Sequence, residues 1–528
     1  MPKILSIKVK DFTYGQIDTL EDTSIPRGCA SRSLNFITKG DRIILRGGYR
    51  ILGNNIEGTG KITGLYTARK PDGTEISFRK RGQKLEYYDE DNDEWTEINE
   101  DAFGEAAENE DVTFTEYHST AGDFVYVNSP NGAFLKIDLD DPTTATDVYD
   151  ADKNYKGYIK MGQSRMWLWG PTTDPTGIYL SKIGDPEDFT FSSPRVAGEG
   201  NIFRQDDGGG NMENIGSYEN KEYCLHQKKS WVINITADDT DATNEIYREK
   251  VGIPNLKAMV PTADGIYYID DSDKIEPQIR LMTIPYGMDK VIPVSISKAF
   301  KYKNTFVGID LSGYEFDQSM GWEWGDYIIF SCRTSDSGQN NRLLLYNKKQ
   351  KTIDVMDYFA NFISNKEGDL LAGDSISGNV MVLFNGYADE SASINNYWET
   401  KNDDLDFDGQ KKVKKLRIKG RLGIDQAVEV LASLDKGEYV SLGIITVDSA
   451  EYTSTNVIGG SQIGEMEIGG GSEGDEYVDF ETELDFAMGK FNRVKLKFVA
   501  GPNSELGYCE ISEFTFWDLR LKSRRIPT

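Results

Sequence analysis

The segment Asp404-Leu405-Asp406-Phe407-Asp408-Gly409 opens like a calcium loop, because carboxylates at alternate positions before a glycine can converge on one hard cation. Lys415 stands where the bidentate glutamate of an EF-hand belongs, and basic residues crowd the site. The segment therefore reads as an acidic linker, with a calcium site as the alternative. His118 and His226 are the two histidines, too little material for imidazole triads or metal sites. The 87 acidic residues allow many carboxylate pairs, so an acid pair for glycoside hydrolysis stays open. Propeller glycosidases repeat an S-x-D-x-G-x-x-W turn; the one partial copy here, Ser433-Leu434-Asp435-Lys436-Gly437, has Val440 in place of the tryptophan.

Gly208-Gly209-Gly210 and Gly469-Gly470-Gly471 lack the lysine and following helix of a phosphate-cradling loop, and their acidic surroundings repel phosphate. They read as loops, and the acidic clusters Asp89–Glu94 and Asp238–Asp241 as solvated turns. Asn234-Ile235-Thr236 fits a glycosylation sequon, which means nothing without a secretory signal. The basic run Lys411–Arg421 has no interleaved aromatic for base stacking. It reads as a solvated face or a surface for an acidic protein partner, with a nucleic-acid patch as the lesser alternative. No catalytic, cofactor-binding or metal-ligating residue is assigned, and no cofactor is expected.

Cys29, Cys224, Cys332 and Cys509 lie far apart and form no CxxC pair, as expected of isolated reduced thiols in a reducing cytoplasm. Lysines interrupt the apolar start of the chain too early for a secretory signal, and no apolar run approaches the ~18 residues that cross a bilayer. The chain reads as soluble. Its net charge of −28 argues against a surface built to grip nucleic-acid phosphate. About −25 of that lies in the first 410 residues and about −3 in the remainder.

The elements that must carry these residues are strands. Gly (52), Tyr (28) and Phe (24) are abundant and helical stretches rare, which favours strands joined by tight turns. Seven apolar hairpins follow one another: Ile76–Phe78 with Leu85–Tyr88, Phe124–Val127 with Phe134–Ile137, Met166–Trp169 with Ile178–Leu180, Tyr223–Leu225 with Trp231–Ile235, Ile266–Ile269 with Ile279–Met282 across Asp270–Asp273, Tyr327–Cys332 with Leu343–Tyr346, and Leu370–Leu371 with Val380–Phe384. Their turns fall about 49 residues apart, close to the spacing of four-stranded propeller blades. A radial array of such units also hides most sheet edges.

The expected fold is all-β: a β-propeller of about seven blades over 61–400, preceded by an N-terminal extended arm with one or two strands over 1–60. A C-terminal antiparallel β-sandwich follows over 411–528. Arg493–Phe498 alternates strictly, placing Val494, Leu496 and Phe498 on one face. Asp435-Lys436-Gly437 signals a hairpin between Val428–Leu434 and Tyr439–Ile445. The arm has two open uses: closing its own propeller or reaching a neighbouring subunit.

Pro26-Arg27-Gly28-Cys29-Ala30-Ser31-Arg32-Ser33-Leu34-Asn35-Phe36, followed by Arg46-Gly47-Gly48-Tyr49-Arg50, resembles the opening of tailed-phage tail propellers. Those share a "P-x-G-x-A-x-x-x-x-N" segment before an R-x-G-Y/F-R-like turn. Arg165-Met166-Trp167-Leu168-Trp169-Gly170 with Gly177–Phe189 is similar to a second stretch of that family, "RLWLAG…vyyS…GdPe-x-f". Val251-Gly252-Ile253-Pro254 leading to Asp264–Ile269 repeats a third. The resemblance implies a structural tail hub, nozzle or packaged-DNA-stabilising protein, not an enzyme, located in the virion tail and assembled in the host cytoplasm. Its implied partners are copies of itself in a ring, expected as a hexamer, portal and adaptor proteins, and other tail proteins such as fibres or spikes. Genomic DNA would pass through without specific binding, and no membrane segment is implied. The alternative is a glycan-binding or glycan-hydrolysing receptor-binding tail propeller; a bacterial scaffold protein outside phage biology is a weaker one.

Overall fold

The computed structural model describes residues 5–55, 60–99, 102–205, 208–235, 243–272, 277–285, 288, 290–298, 300–302, 305–390, 392–423, 426–447, 477–501 and 508–521. Gly469-Gly470-Gly471, Asp238–Asp241, Asp273 and Thr236 of the sequon lie outside the described residues.

The chain is all-β, a propeller joined to a sandwich. Among the described residues seven antiparallel blades succeed one another: 62–99, 113–147, 158–204, 212–249, 259–295, 314–356, and 360–383 completed by Tyr49–Ile51. In blade 6 the inner strand is split, Tyr314–Glu315 and Gly321–Trp324 both pairing with Tyr327–Thr334. All seven sequence hairpins are the second and third strands of their blades. These middle strands are sandwiched by neighbouring blades on both faces, which explains their near-continuous apolar character. In Arg165–Trp169, Met166 and Leu168 pack toward blade 2 while Trp167 and Trp169 pack toward blade 4. Further cores join blades 1 and 2, blades 4 to 6, blades 6 and 7, and blades 7 and 1. The ring of contacts is closed.

Closure depends on the start of the chain. Tyr49–Ile51 pairs antiparallel with Val380–Leu383 as the outermost strand of blade 7. The sequence reading sets residues 1–60 apart from the sandwich; the structure instead distributes them. Leu5–Val9 and the hairpin of Phe36–Lys39 with Arg42–Leu45 join the sandwich sheet built on Lys415–Gly423, Tyr477–Asp485 and Cys509–Leu521. Arg32–Leu34 begins the other sheet, ordered Arg32–Leu34, Tyr397–Glu399, Val494–Ala500, Ala427–Leu434, Val440–Thr446. Such pairing between distant stretches leaves no local mark in sequence. The two sheets enclose one core that includes Phe12, Trp398, Leu416, Ile418, Leu496, Phe498, Phe514 and Phe516. The hairpin at Asp435-Lys436-Gly437 forms, with Asp435 at φ 51° and Lys436 at φ 67°, the left-handed pair of a tight hairpin turn.

Candidate functional site

Three places gather polar groups in a way that could matter: the closing strand, the propeller axis and the outer face of the sandwich.

At the closing strand Arg46 is fully buried. Its guanidinium donates to both oxygens of Asp389 at 2.8 and 2.7 Å, to Asp357 at 2.9 Å and to Asn35 Oδ1 at 2.8 Å. It lies 3.9 Å from the centre of the Tyr358 ring, whose hydroxyl donates to Gly47 O at 2.6 Å. Burial alone would depress its pKa; the Tyr358 ring, Asp389 and Asp357 hold it above the ordinary arginine range. The neighbouring glycines are there for space: a Cβ on Gly48 would stand 1.9 Å from Ala388 O, and one on Gly47 2.8 Å from the Phe384 backbone. Gly28 has φ +84° and no room either, 1.6 Å from Asp11 O, and Asn35 itself is left-handed at φ 62°. The first resemblance segment is therefore a fastening, joining the sandwich hairpin to the blade that shuts the ring.

The calcium-like segment meets a cation of the protein's own. Arg27 donates to Asp403 at 2.5 and 2.8 Å and to Asp406 at 2.6 Å. Among the described residues no group of three or more His, Cys, Asp or Glu side chains is arranged to hold a metal ion.

At the axis, Lys257 precedes the inner strand of blade 5, yet its ammonium lies 2.9 Å from Asp111, which precedes the inner strand of blade 2. It also donates to Asn361 O and Oδ1 of blade 7, at 3.3 and 3.2 Å, and sits 4.4 Å from the Phe362 ring centre. Asn361 Nδ2 in turn donates to Ile62 O of blade 1. Blades 2 and 5 stand opposite in a seven-membered ring, so this side chain, only 3% exposed, spans the axis and fills it with protein at that level. Burial lowers its pKa, and Asp111 opposes the shift. Nearby Lys80, lowered to about 8 by burial, ties the 102–112 loop by donating to Thr63 Oγ1 and the carbonyls of Ala107, Glu108 and Glu110. Glu213 of blade 4 is raised to about 7, also by burial, against a hydrogen bond from Gln227. The third resemblance segment leads into Lys257; sequence reading passed over the lysine because its partners are remote in the chain.

On the sandwich, the basic run finds its acidic partner within the chain. Leu416, Ile418 and Leu422 point inward, while Lys415, Arg417, Lys419 and Arg421 face out opposite Tyr477–Asp485. Lys415–Glu483 (2.6 Å), Arg417–Glu483 (2.7 Å), Lys419–Glu481 (2.8 Å) and Arg421–Asp479 (2.9 Å) form a charge ladder. Exposed, solvent-screened pairs of this kind contribute little to stability. They leave little uncompensated positive charge for phosphate. Beside the ladder a shallow cleft of ≈ 340 Å³ is lined by Asp41, Arg42, Arg421, Asp479, Glu510 and Ser512, with Arg42 on Glu510 at 3.1 Å.

The remaining sequence candidates are structural. His118 lies at a blade edge between Asp123 and Glu116. Burial would lower its pKa, but bonds to those two carboxylates raise it. His226 is buried against Gln205 and Gly210 O. All four cysteines are buried and unbridged; burial pushes Cys29 and Cys509 up to about 12. Asp435 of the S-x-D-x-G fragment accepts from the Asn492 and Arg493 amides, a turn role.

No protein-family model matches the chain, and no curated protein does. Similar solved structures include a catalytically inactive virginiamycin B lyase from Staphylococcus aureus with quinupristin. The identity is 12%, over 63% of this chain and 98% of that chain, with a TM-score of 0.37. The extracellular domain of a one component system protein from B. thetaiotaomicron is 9% identical over 64% of this chain and 40% of that one, TM-score 0.36. The propeller rests on the blade topology described above, and the lyase's activity does not transfer at this distance.

Proposed function

We propose that this chain is a structural, non-enzymatic component of a tailed-phage tail. In this reading it is a hub or nozzle subunit that assembles with copies of itself, a hexamer being the expected ring, below the portal and adaptor. It carries other tail proteins such as fibres or spikes and helps retain the genome, which passes through the ring of subunits. The observation that carries the reading is the use made of the first resemblance segment: Asn35, Arg46, Gly47 and Gly48 are spent on closing and bracing the propeller. Two features support it. The propeller axis is filled at Lys257–Asp111, and the acidity lies in the propeller part, which lacks the excess of Lys and Arg that would displace counterions from DNA and hold it.

The test is location. Purified particles of the phage carrying this gene should contain the protein at fixed stoichiometry, and antibody-labelled electron micrographs should mark the tail. Absence from particles would overturn the reading. Cleavage of a glycan by the purified chain would favour the receptor-binding alternative instead.

A further inference from the structure

At the axis an amine and a carboxamide meet with a carboxylate beside them. Lys257 Nζ donates to Asn361 Oδ1 at 3.2 Å and to Asn361 O at 3.3 Å, and lies 2.9 Å from Asp111 Oδ2. The Asn361 Cγ carbon is one C=O bond, ~1.23 Å, from that Oδ1, so a small turn of the lysine brings the amine onto it. Asn361 and the neighbouring Phe362 ring are buried, which keeps bulk water from competing for the carbon. Burial lowers the pKa of Lys257, with Asp111 opposing, and so favours the neutral amine that can act as a nucleophile.

The backbone is bent to make this meeting. Ala360 pairs with Asp374 and Phe362 with Gly373, so Asn361 is the extra residue of a bulge in the inner strand of blade 7. A bulge re-aims a side chain at the expense of ladder bonds, and bulges gather beside reactive sites. Here both the carbonyl and the side-chain amide of Asn361 reach the lysine. Asn361 Nδ2 donates to Ile62 O of blade 1 at 2.5 Å, which holds the amide nitrogen on the far side and turns the oxygen to the amine. Charge burial alone does not call for an amide side chain: Lys80, buried nearby, is held by Thr63 Oγ1 and three backbone carbonyls.

We propose that Lys257 condenses with the side chain of Asn361, Asp111 carrying the protons, to form an amide bond that staples blade 5 to blade 7. The charged amine first gives a proton to Asp111. Neutral Nζ then attacks Cγ, and the Nζ–Cγ bond forms as the Asp111 proton passes to Nδ2. The Cγ–Nδ2 bond breaks, ammonia leaves, and the linking nitrogen gives up its surplus proton, by way of Asp111, to make ammonium. One positive charge enters and one leaves, nothing is oxidised or reduced, and no further reactant is needed. The bond joins residues 104 positions apart. The ion pair described above is the state before condensation, and stability comparisons that turn on it belong to freshly folded chain. The inference is independent of the tail reading and can hold or fail without it.

Mass spectrometry on the full chain, freshly synthesised and then held at physiological temperature over days, tests this. The wild type should lose about 17 Da, one ammonia, and its digest should contain a branched peptide joining Lys257 to Asn361. Lys257→Arg, which keeps a cation on Asp111, and Asn361→Ser should both stay at full mass. Asp111→Asn keeps the amine and the amide and, with a wild-type near-UV circular dichroism spectrum, should slow the loss more than about a hundredfold. The wild-type measurement needs no variant, so a substitution that unfolds the chain does not shelter the proposal. A wild type that keeps its full mass overturns it. So does an ammonia loss mapped to Asn131-Gly132 or Asn385-Gly386, where closure to a succinimide releases the same mass. Linking at the wild-type rate in folded Asp111→Asn overturns the part given to Asp111.

Discussion

Single residues decide the two most constrained contacts. Lys257 is a cation placed where blades 2, 5 and 7 converge, and removing one member of a buried pair leaves the other uncompensated. Lys257→Met should cost about 3 kcal/mol in urea unfolding, and adding Asp111→Asn should recover most of the loss; a single variant as stable as wild type would contradict a cross-axis role. Asp354, at the joint between sandwich and propeller, is pushed up to about 6 by burial, with the Thr38 amide and hydroxyl pulling the other way. Its native pKa lies above the ordinary 3.8, so the native state takes up the proton first, and stability gains as pH falls through 6 toward 4. Above pH 6 the buried charge is a standing cost. Asp354→Asn should therefore be more stable than wild type at pH 8, with the difference gone by about pH 4; unfolding curves at both pH values check this.

At the scale of elements, the middle two strands of every blade were legible because both their faces are buried. The others were not. Asp141–Asp147, the outer strand of blade 2, reads DPTTATD and is largely exposed, and Tyr158–Gly162 mixes apolar and polar residues without clean alternation. The sandwich strand Lys415–Gly423 was visible by its alternation, but the acidic strand that neutralises it could be matched to it only through register. The closing strand is three residues long and pairs with sequence far away, so nothing local marks it. Its fit is nevertheless strict. Gly48→Ala, with its Cβ 1.9 Å from Ala388 O, should destabilise the protein by about 3 kcal/mol and speed amide exchange in Val380–Leu383. Gly489→Ala, with nothing within 4 Å of the added carbon, should leave both unchanged.

At the scale of the molecule, composition and turn spacing were enough for a propeller of about seven blades followed by a sandwich, and the blade topology agrees. The candidate surfaces were less legible. The axial lysine and the Arg27 clamp on the calcium-like segment depend on juxtapositions of distant chain segments, which no window of sequence displays.

The order of synthesis gives the closing strand a consequence of its own. Tyr49–Ile51 leaves the ribosome first, yet its partner Val380–Leu383 emerges more than three hundred residues later, tens of seconds at translation speeds of roughly 5–20 residues per second. Until then the nascent blades form an open crescent whose first and last members expose the flanks they will later bury against each other. A contact of such high order is slow to form and leaves sticky surface waiting. The same strand that locks the finished body makes its birth the most aggregation-prone stage, when chaperone capture would count most.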